Sequence, residues 1–146
     1  MSTVTQFSIS LANVPGTLAE ISRLLAYEGV NIKGIALVEG PEAQSILRII
    51  VNDRIKTERI LKSEGFSFRQ IDVIVVEIPD KPGSLAKVAD ILAQAKINID
   101  YAYVLTQAGK NARIAMRVSD MGKAVELLQN ADIRLITQKD LEVVEF

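Results

Sequence analysis

The residues of this 146-residue chain that are best suited to binding chemistry lie in a Pro-Gly turn that occurs twice. The stretch Asn13-Val14-Pro15-Gly16-Thr17-Leu18-Ala19 has a counterpart in Asp80-Lys81-Pro82-Gly83-Ser84-Leu85-Ala86. Glycine adopts positive φ and lets a ligand approach the main chain closely. Unpaired amides in the first turn of a following helix, together with the helix dipole, favour an anion. The two turns therefore predict main-chain sites for a small carboxylate.

Two asparagines could complete such sites. Asn31 and Asn98 each lie 15 residues beyond the glycine of their turn. A carboxamide both donates and accepts hydrogen bonds, so it can bridge the carboxylate and ammonium groups of an amino acid. Asp80 or Asp100 can add charge for the ammonium, whereas Asn13 and Lys33 stand at those places in the first copy. Two working sites would therefore differ in affinity or ligand.

A purely structural interpretation of the same residues stays open. A Pro-Gly turn before a helix often serves only to reverse the chain, and an asparagine often only begins a strand. A duplicated domain also duplicates its structural requirements. The repetition alone does not decide between the two interpretations.

Composition excludes several classes of chemistry. The chain has neither Cys nor His, which removes thiol catalysis, Ser/His relays, disulfides and the usual zinc ligands. No loop is dense in Asp, and neither GxGxxG nor a Walker lysine is present. We expect no catalytic residues, no metal site and no cofactor, and an enzyme is a third alternative.

Charge and hydropathy limit the kinds of binding partner that we expect. Net charge is −1 without a dominant Lys/Arg cluster, so nucleic-acid binding is not expected. An RNA-binding module remains a second alternative, although Ser45 to Val51 and Arg113 to Val118 lack the aromatic residues which that mode needs. The segment from Met1 to Leu11 does not resemble a signal peptide, and apolar runs are too short for a bilayer. The expectation is a cytoplasmic protein without membrane contact.

An internal repeat organises the chain. An offset of 67 residues aligns the two Pro-Gly turns, Leu25-Ala26 with Leu92-Ala93, Asn31-Ile32 with Asn98-Ile99, and Asp53 with Asp120. A repeat of this length suits a small domain. We therefore predict two domains, residues 1–71 and 72–146.

The element order is the same in both halves. Alternating apolar residues predict a first strand, and an apolar stripe at helical spacing predicts the helix after each turn. Thr17 and Ser84 are expected to cap that helix and Gly29 to end it, while Asp53 and Asp120 cap a second helix. Fourth strands are predicted at Phe66 to Ile71 and Ile133 to Gln138. The fold class is α+β, with two ferredoxin-like βαββαβ domains whose antiparallel sheets carry the helices on one face.

The C-terminal segment extends beyond the end of the second copy of the repeat. Leu141 to Phe146 is similar to Ile74 to Ile78, the first strand of the second half. This similarity predicts an extra strand at about 140–146. Such a strand needs a partner edge, either within the chain or across a dimer.

These motifs resemble the ACT domain, in two tandem copies that cover nearly the whole chain. The resemblance implies a regulatory module that binds amino acids, associates side by side through its sheets, and holds the ligand between two domains near the first strand–helix loop. It implies ligand contacts at Asn13, Val14, Pro15, Gly16, Thr17, Leu18, Asn31 and Ile32, and at Asp80, Lys81, Pro82, Gly83, Ser84, Leu85, Asn98 and Ile99.

The leading hypothesis is a stand-alone, homodimeric tandem ACT protein that binds a small amino acid at domain interfaces and signals to amino-acid metabolism. We expect no attached catalytic or DNA-binding domain, which would separate the protein from the commonest family pattern. It also resembles separate regulatory subunits such as that of acetolactate synthase, although its second half is another ACT copy. The alternative is a regulatory subunit of an amino-acid biosynthetic enzyme that acts mainly by protein contact.

Overall fold

The computed structural model describes residues 2–106 and 109–142. Its contacts divide them into two compact units. The first domain comprises residues 5–71 with 141–142, and the second comprises 72–106 and 109–140 with 2–4. The elements are β1 (Val4–Ala12), α1 (Thr17–Tyr27), β2 (Ile32–Glu39), β3 (Gln44–Val51), α2 (Arg54–Ser63), β4 (Ser67–Pro79), α3 (Ser84–Gln94), β5 (Ile99–Val104), β6 (Asn111–Val118), α4 (Met121–Asn130), β7 (Arg134–Ile136) and α5 (Gln138–Glu142).

The first domain has the strand order β2-β3-β1-β4. Alternation in β1 places Phe7 and Ile9 in the core, where they lie opposite Ile49 and Leu47 of antiparallel β3. Ile21 and Leu25 of α1 and Leu61 of α2 pack against the same sheet face. One layer of helices therefore covers one face of this sheet.

The second domain repeats this arrangement with the order β7-β4-β6-β5. Its core joins Ile74 and Val76 of β4 to Val88 and Leu92 of α3 and Leu128 of α4. Both domains therefore have the strand order and one-sided helix layer of a βαββαβ plait. The predicted α+β, ferredoxin-like fold class is confirmed.

β4 differs from the prediction in being continuous. The sequence predicted a strand ending at Ile71 and a new one at Ile74, but a single strand of 13 residues runs from Ser67 to Pro79. No Gly or Pro interrupts residues 67–78, so nothing in the local sequence forces the chain out of the extended conformation. The first turn-forming residue is Pro79, immediately before the second Pro-Gly turn.

Local geometry repeats along with the sequence. Gly16 and Gly83 have φ values of 94° and 92°. The side chains of Asp53 and Asp120 accept hydrogen bonds from the amides of Lys56 (3.0 Å) and Lys123 (3.1 Å), as the N-cap prediction required. The predicted aspartate caps are confirmed in both copies.

The prediction that Thr17 and Ser84 cap their helices is wrong. Gly16 and Gly83 occupy the N-cap positions, and no side chain caps either helix. Thr17 is already the first helical residue, and its hydroxyl donates backwards to the carbonyls of Ala12 (3.1 Å) and Val14 (3.3 Å). The predicted end of α1 is confirmed, since the amide of Gly29 (φ 77°) donates to the carbonyl of Ala26 (3.0 Å).

The predicted C-terminal strand is wrong for Leu141 and Glu142, which end the short helix α5. Thr137 and Asp140 form a reciprocal cap. The carboxylate of Asp140 accepts from the amide (2.8 Å) and hydroxyl (3.0 Å) of Thr137, and the amide of Asp140 donates to that hydroxyl (3.4 Å). This local hydrogen bonding favours a helical turn over an extended strand. The rest of the predicted strand, residues 143–146, lies outside the described residues.

Candidate ligand-binding site

A cavity of about 410 Å³ opens at the second Pro-Gly turn. It lies within the second domain, where β4 ends and α3 begins. A volume of this size lies in the range of small-molecule sites, roughly 300–1,000 Å³. Its walls are formed by Glu77, Ile78, Pro79, Lys81, Pro82, Gly83, Ser84, Lys87, Asp132 and Ile133.

Three segments bring these residues together. The turn is closed by main-chain hydrogen bonds from Lys81 to the carbonyl of Pro79 (3.0 Å) and from Ser84 to the carbonyl of Lys81 (3.3 Å). Lys87 follows in the first turn of α3. Asp132, in a left-handed conformation with φ of 59°, and Ile133 arrive from the loop after α4. The cavity therefore joins the turn to a segment distant in sequence.

Gly83 leaves its surroundings open. Its φ of 92° is unfavourable for any residue with a Cβ, and no heavy atom lies within 4 Å of the place a Cβ would occupy. Glycine is thus required by the backbone conformation, and the space beside it is available to a ligand.

The two turns differ in chemistry. The hydroxyl of Thr17 is bound to two carbonyls of its own turn. Ser84, its counterpart, lines the cavity, and within residues 2–106 and 109–142 its hydroxyl makes no hydrogen bond. The positions of Lys81, Lys87 and Asp132 correspond by the 67-residue offset to Val14, Glu20 and Gly65. Only the second turn combines cationic and anionic residues.

Glu77 forms an ionised wall of the cavity. Its side chain, 7 % exposed, accepts hydrogen bonds from Nε of Arg113 (2.9 Å) and Nη1 of Arg134 (2.8 Å). Burial acts to raise the pKa of this carboxyl. The hydrogen bond from Arg113 and the charges of Arg134 and Arg113 outweigh burial and hold the pKa below its ordinary value. Both carboxylate oxygens are engaged by arginine, so Glu77 positions neighbours and offers little to a ligand.

The predicted asparagines lie outside this lining. The amide of Asn31 donates to Oδ1 of Asn52 (2.8 Å), and that of Asn98 donates to Oγ of Ser119 (2.9 Å). The carboxamide of Asn98 donates to Asp100 (2.9 Å). Their main-chain bonds hold the starts of β2 and β5, which is the structural role that the sequence left open.

The structure separates the other predicted residues into several environments. Leu18, Ile32 and Ile99 pack against the cores, whereas Val14 and Leu85 are exposed. The amide of Asn13 donates to the carbonyl of Ala43 (2.9 Å). Pro15, Gly16 and Asp80 are exposed at their turns. Among the predicted residues, the cavity brings together Lys81, Pro82, Gly83 and Ser84.

The sequence did not indicate six lining residues, namely Glu77, Ile78, Pro79, Lys87, Asp132 and Ile133. Lys87 could have been found, because it lies three residues after Ser84 on the same helical face. Asp132 and Ile133 have no such signal, since tertiary structure alone brings them to the turn.

Among the described residues, no group of three Asp or Glu side chains is placed to hold a metal ion. Across residues 2–106 and 109–142, no helix has both the length and the apolarity needed to cross a membrane.

Comparison with known proteins identifies the family. The sequence profile of a family described as an ACT domain pair matches residues 2–145. The chain belongs to the ACT domain pair family. No match is found among curated proteins.

Solved structures share the fold of this chain. Protein BT0572 from Bacteroides thetaiotaomicron is 32 % identical, with 98 % of each chain covered and a TM-score of 0.90. The regulatory subunit of aspartate kinase from Thermus thermophilus is 15 % identical, with 87 % of this chain and 91 % of that chain covered and a TM-score of 0.60. At 15 % identity, the similarity to the aspartate kinase subunit is a similarity of fold.

Proposed function

We propose that this ACT domain pair is a regulatory protein that binds a small amino acid at its second Pro-Gly turn. The observation that carries this proposal is the cavity of about 410 Å³ in which Lys81 and Lys87 accompany Asp132 beside the start of α3. Amides at the helix start and a lysine suit a carboxylate, and Asp132 suits an ammonium. Both charged ends of an amino acid thus have partners in one cavity.

Regulation in this proposal is linkage rather than catalysis. The cavity is open, so part of a bound ligand remains available to a second ACT module. A ligand that contacts two modules favours the arrangement in which both contacts form, by no more than its difference in affinity between arrangements. The regulatory subunit of aspartate kinase has the same fold, and we propose that the output here is likewise an enzyme of amino-acid metabolism.

A second candidate is regulation mainly by protein contact. Ile35, Leu37 and Val38 on β2 are 47 %, 46 % and 41 % exposed. Ile35 and Leu37 lie on one face of this strand and Val38 on the other, and adjoining exposed apolar residues mark interaction surfaces. In this case no amino acid would raise the melting temperature of the protein.

A thermal-shift screen of the proteinogenic amino acids tests the proposal, because a ligand of the native state raises Tm by mass action. We expect at least one amino acid to raise Tm. The chain offers a matched pair of variants, Gly83→Val and Gly16→Val, since both glycines have φ near 90° and open space at Cβ. Each should cost about 1–2 kcal/mol of stability.

The two variants must then respond differently to the ligand. Gly83→Val should abolish the ligand-dependent shift, and Gly16→Val should retain it. Equal retention in both variants, or the absence of a shift with every amino acid, would refute binding at the second turn.

A further inference from the structure

We propose, building on the function above, that the ligand of the second turn is an amino acid with an acidic side chain. Such a ligand carries two carboxylates and one ammonium. The charges of the side chains that line the cavity favour this ligand.

Glu77 does not contribute a free charge to this cavity. Its carboxylate is held by Arg113 and Arg134, at 2.9 Å and 2.8 Å. These two arginines compensate its charge, so the carboxylate is a poor partner for the ammonium of a ligand. We therefore leave Glu77 out when we count the lining charges that can pair with a ligand.

The remaining charged lining residues are Lys81, Lys87 and Asp132. Two cations and one anion give a net charge of +1. A neutral amino acid would satisfy one cation and the anion and leave one lysine without a partner. An amino acid with a cationic side chain would place a second positive charge among two lysines. Two carboxylates and one ammonium match the three groups.

The apolar lining is compatible with this ligand. Ile78, Pro79 and Ile133 give a short apolar wall suited to the one or two methylene groups of an acidic side chain. The first turn lacks these three charged groups. Val14 and Glu20 stand at the positions of the two lysines, and Gly65 stands at the position of the aspartate. We therefore assign the acidic ligand to the second domain alone.

The test compares ligands of equal shape and different charge. Isothermal titration calorimetry on the full chain measures Kd for L-glutamate and L-aspartate beside L-glutamine and L-asparagine. We expect the better acidic ligand to bind roughly fivefold more tightly than its amide, a ratio in keeping with one exposed ion pair of up to about 1 kcal/mol. Glutarate, which lacks the ammonium, should bind more weakly than glutamate. Added salt should reduce the preference for the acid.

Lys87→Gln is the decisive variant, with Lys123→Gln as its control. Lys123 is an exposed lysine of the same domain that lies outside the lining. Lys87→Gln should remove the preference for acid over amide, and Lys123→Gln should keep it. If the amides bind as tightly as the acids, or if Lys87→Gln leaves the preference intact, the acidic-ligand assignment is wrong.

This outcome is separable from failure of the proposed function. Tight binding of a neutral amino acid that Gly83→Val abolishes would overturn only the acidic assignment. Binding of no amino acid, or binding that is indifferent to Gly83→Val, would overturn the proposed function together with it.

Discussion

At the scale of single residues, Glu77 shows how an acidic side chain can be held inside a sheet. It lies on β4, directly opposite Arg113 of β6 and Arg134 of β7. Each neighbouring strand thus supplies one guanidinium to one carboxylate. The arginine hydrogen bonds compensate for burial, and three strands are joined through this one side chain.

Glu77→Gln should destabilise the fold by about 2 kcal/mol at pH 7, because it leaves two arginines without their anionic partner. The folded pKa of Glu77 is lowered from 4.5. Its stabilisation is therefore fully present above pH 4.5 and is lost as pH falls through the folded pKa. Urea unfolding at several pH values should show the gap between the wild-type protein and this variant closing in acid.

Glu58→Gln is the control for this experiment. Glu58 also has a lowered pKa, caused chiefly by its hydrogen bond with Lys62, but it lies on the surface of α2. Its replacement should change stability far less at every pH. Equal effects of the two substitutions would show that the arginine pair contributes little.

At the scale of elements, the domains begin their helices in two distinct ways. α1 and α3 start at glycines in a left-handed conformation, without a capping side chain. α2 and α4 start at aspartates in an extended conformation, whose carboxylates accept from the third helical residue. An aspartate cap satisfies one amide of the helix start, whereas a start without a side-chain cap leaves that amide available to a ligand. This difference favours a ligand at α3 over one at α4.

Replacement of Asp53 or Asp120 by Ala should therefore cost about 1 kcal/mol each. Chemical denaturation measures the loss. Asp90→Ala, on the exposed surface of α3, is the control and should be nearly neutral. An unchanged free energy of unfolding in both cap variants would mean that water replaces the aspartates without cost.

At the scale of the whole molecule, the edge strands decide how copies can associate. β2 ends the strand order of the first domain, and β5 ends that of the second. An edge strand has hydrogen-bonding groups available to another chain. β2 exposes Ile35, Leu37 and Val38. Their counterparts lie at positions 102 and 104 of β5 and at 105 just after it, and of these three only Val104 is a large exposed apolar residue. We propose that the chain is a homodimer joined through β2.

Leu37→Lys should shift this dimer towards monomer, because a lysine on an edge strand disfavours pairing. Sedimentation velocity over a range of concentrations measures the shift. Val104→Lys is the matched control, as Val104 corresponds to Leu37 by the 67-residue offset, and it should leave the association unchanged. A wild-type protein that is monomeric at all concentrations would contradict the proposal.

Much of this fold follows from the sequence alone, because its causes are local. Alternation in β1, the left-handed glycine after α1 and the aspartate caps each depend on residues a few positions apart. The aspartate caps recur in the second copy with the same geometry, whereas Lys96, with φ of 60°, stands where Gly29 ends the first helix. Two predictions that were wrong, the Thr17 cap and the C-terminal strand, also depended on local hydrogen bonds. The hydroxyl of Thr17 turned back to its own turn, and the reciprocal cap of Thr137 and Asp140 made α5 helical where a strand was expected.

The cavity required the tertiary structure. The sequence alone determined the repeated plait and the Pro-Gly turn, since backbone sterics and hydrophobic periodicity act between near neighbours. It did not determine that Asp132 would line the same cavity as Lys81, or that two arginines would hold the carboxylate of Glu77. These arrangements join segments that become neighbours only when the chain folds. Electrostatic matching in the site depends on distances in space, and the folded chain alone sets those distances.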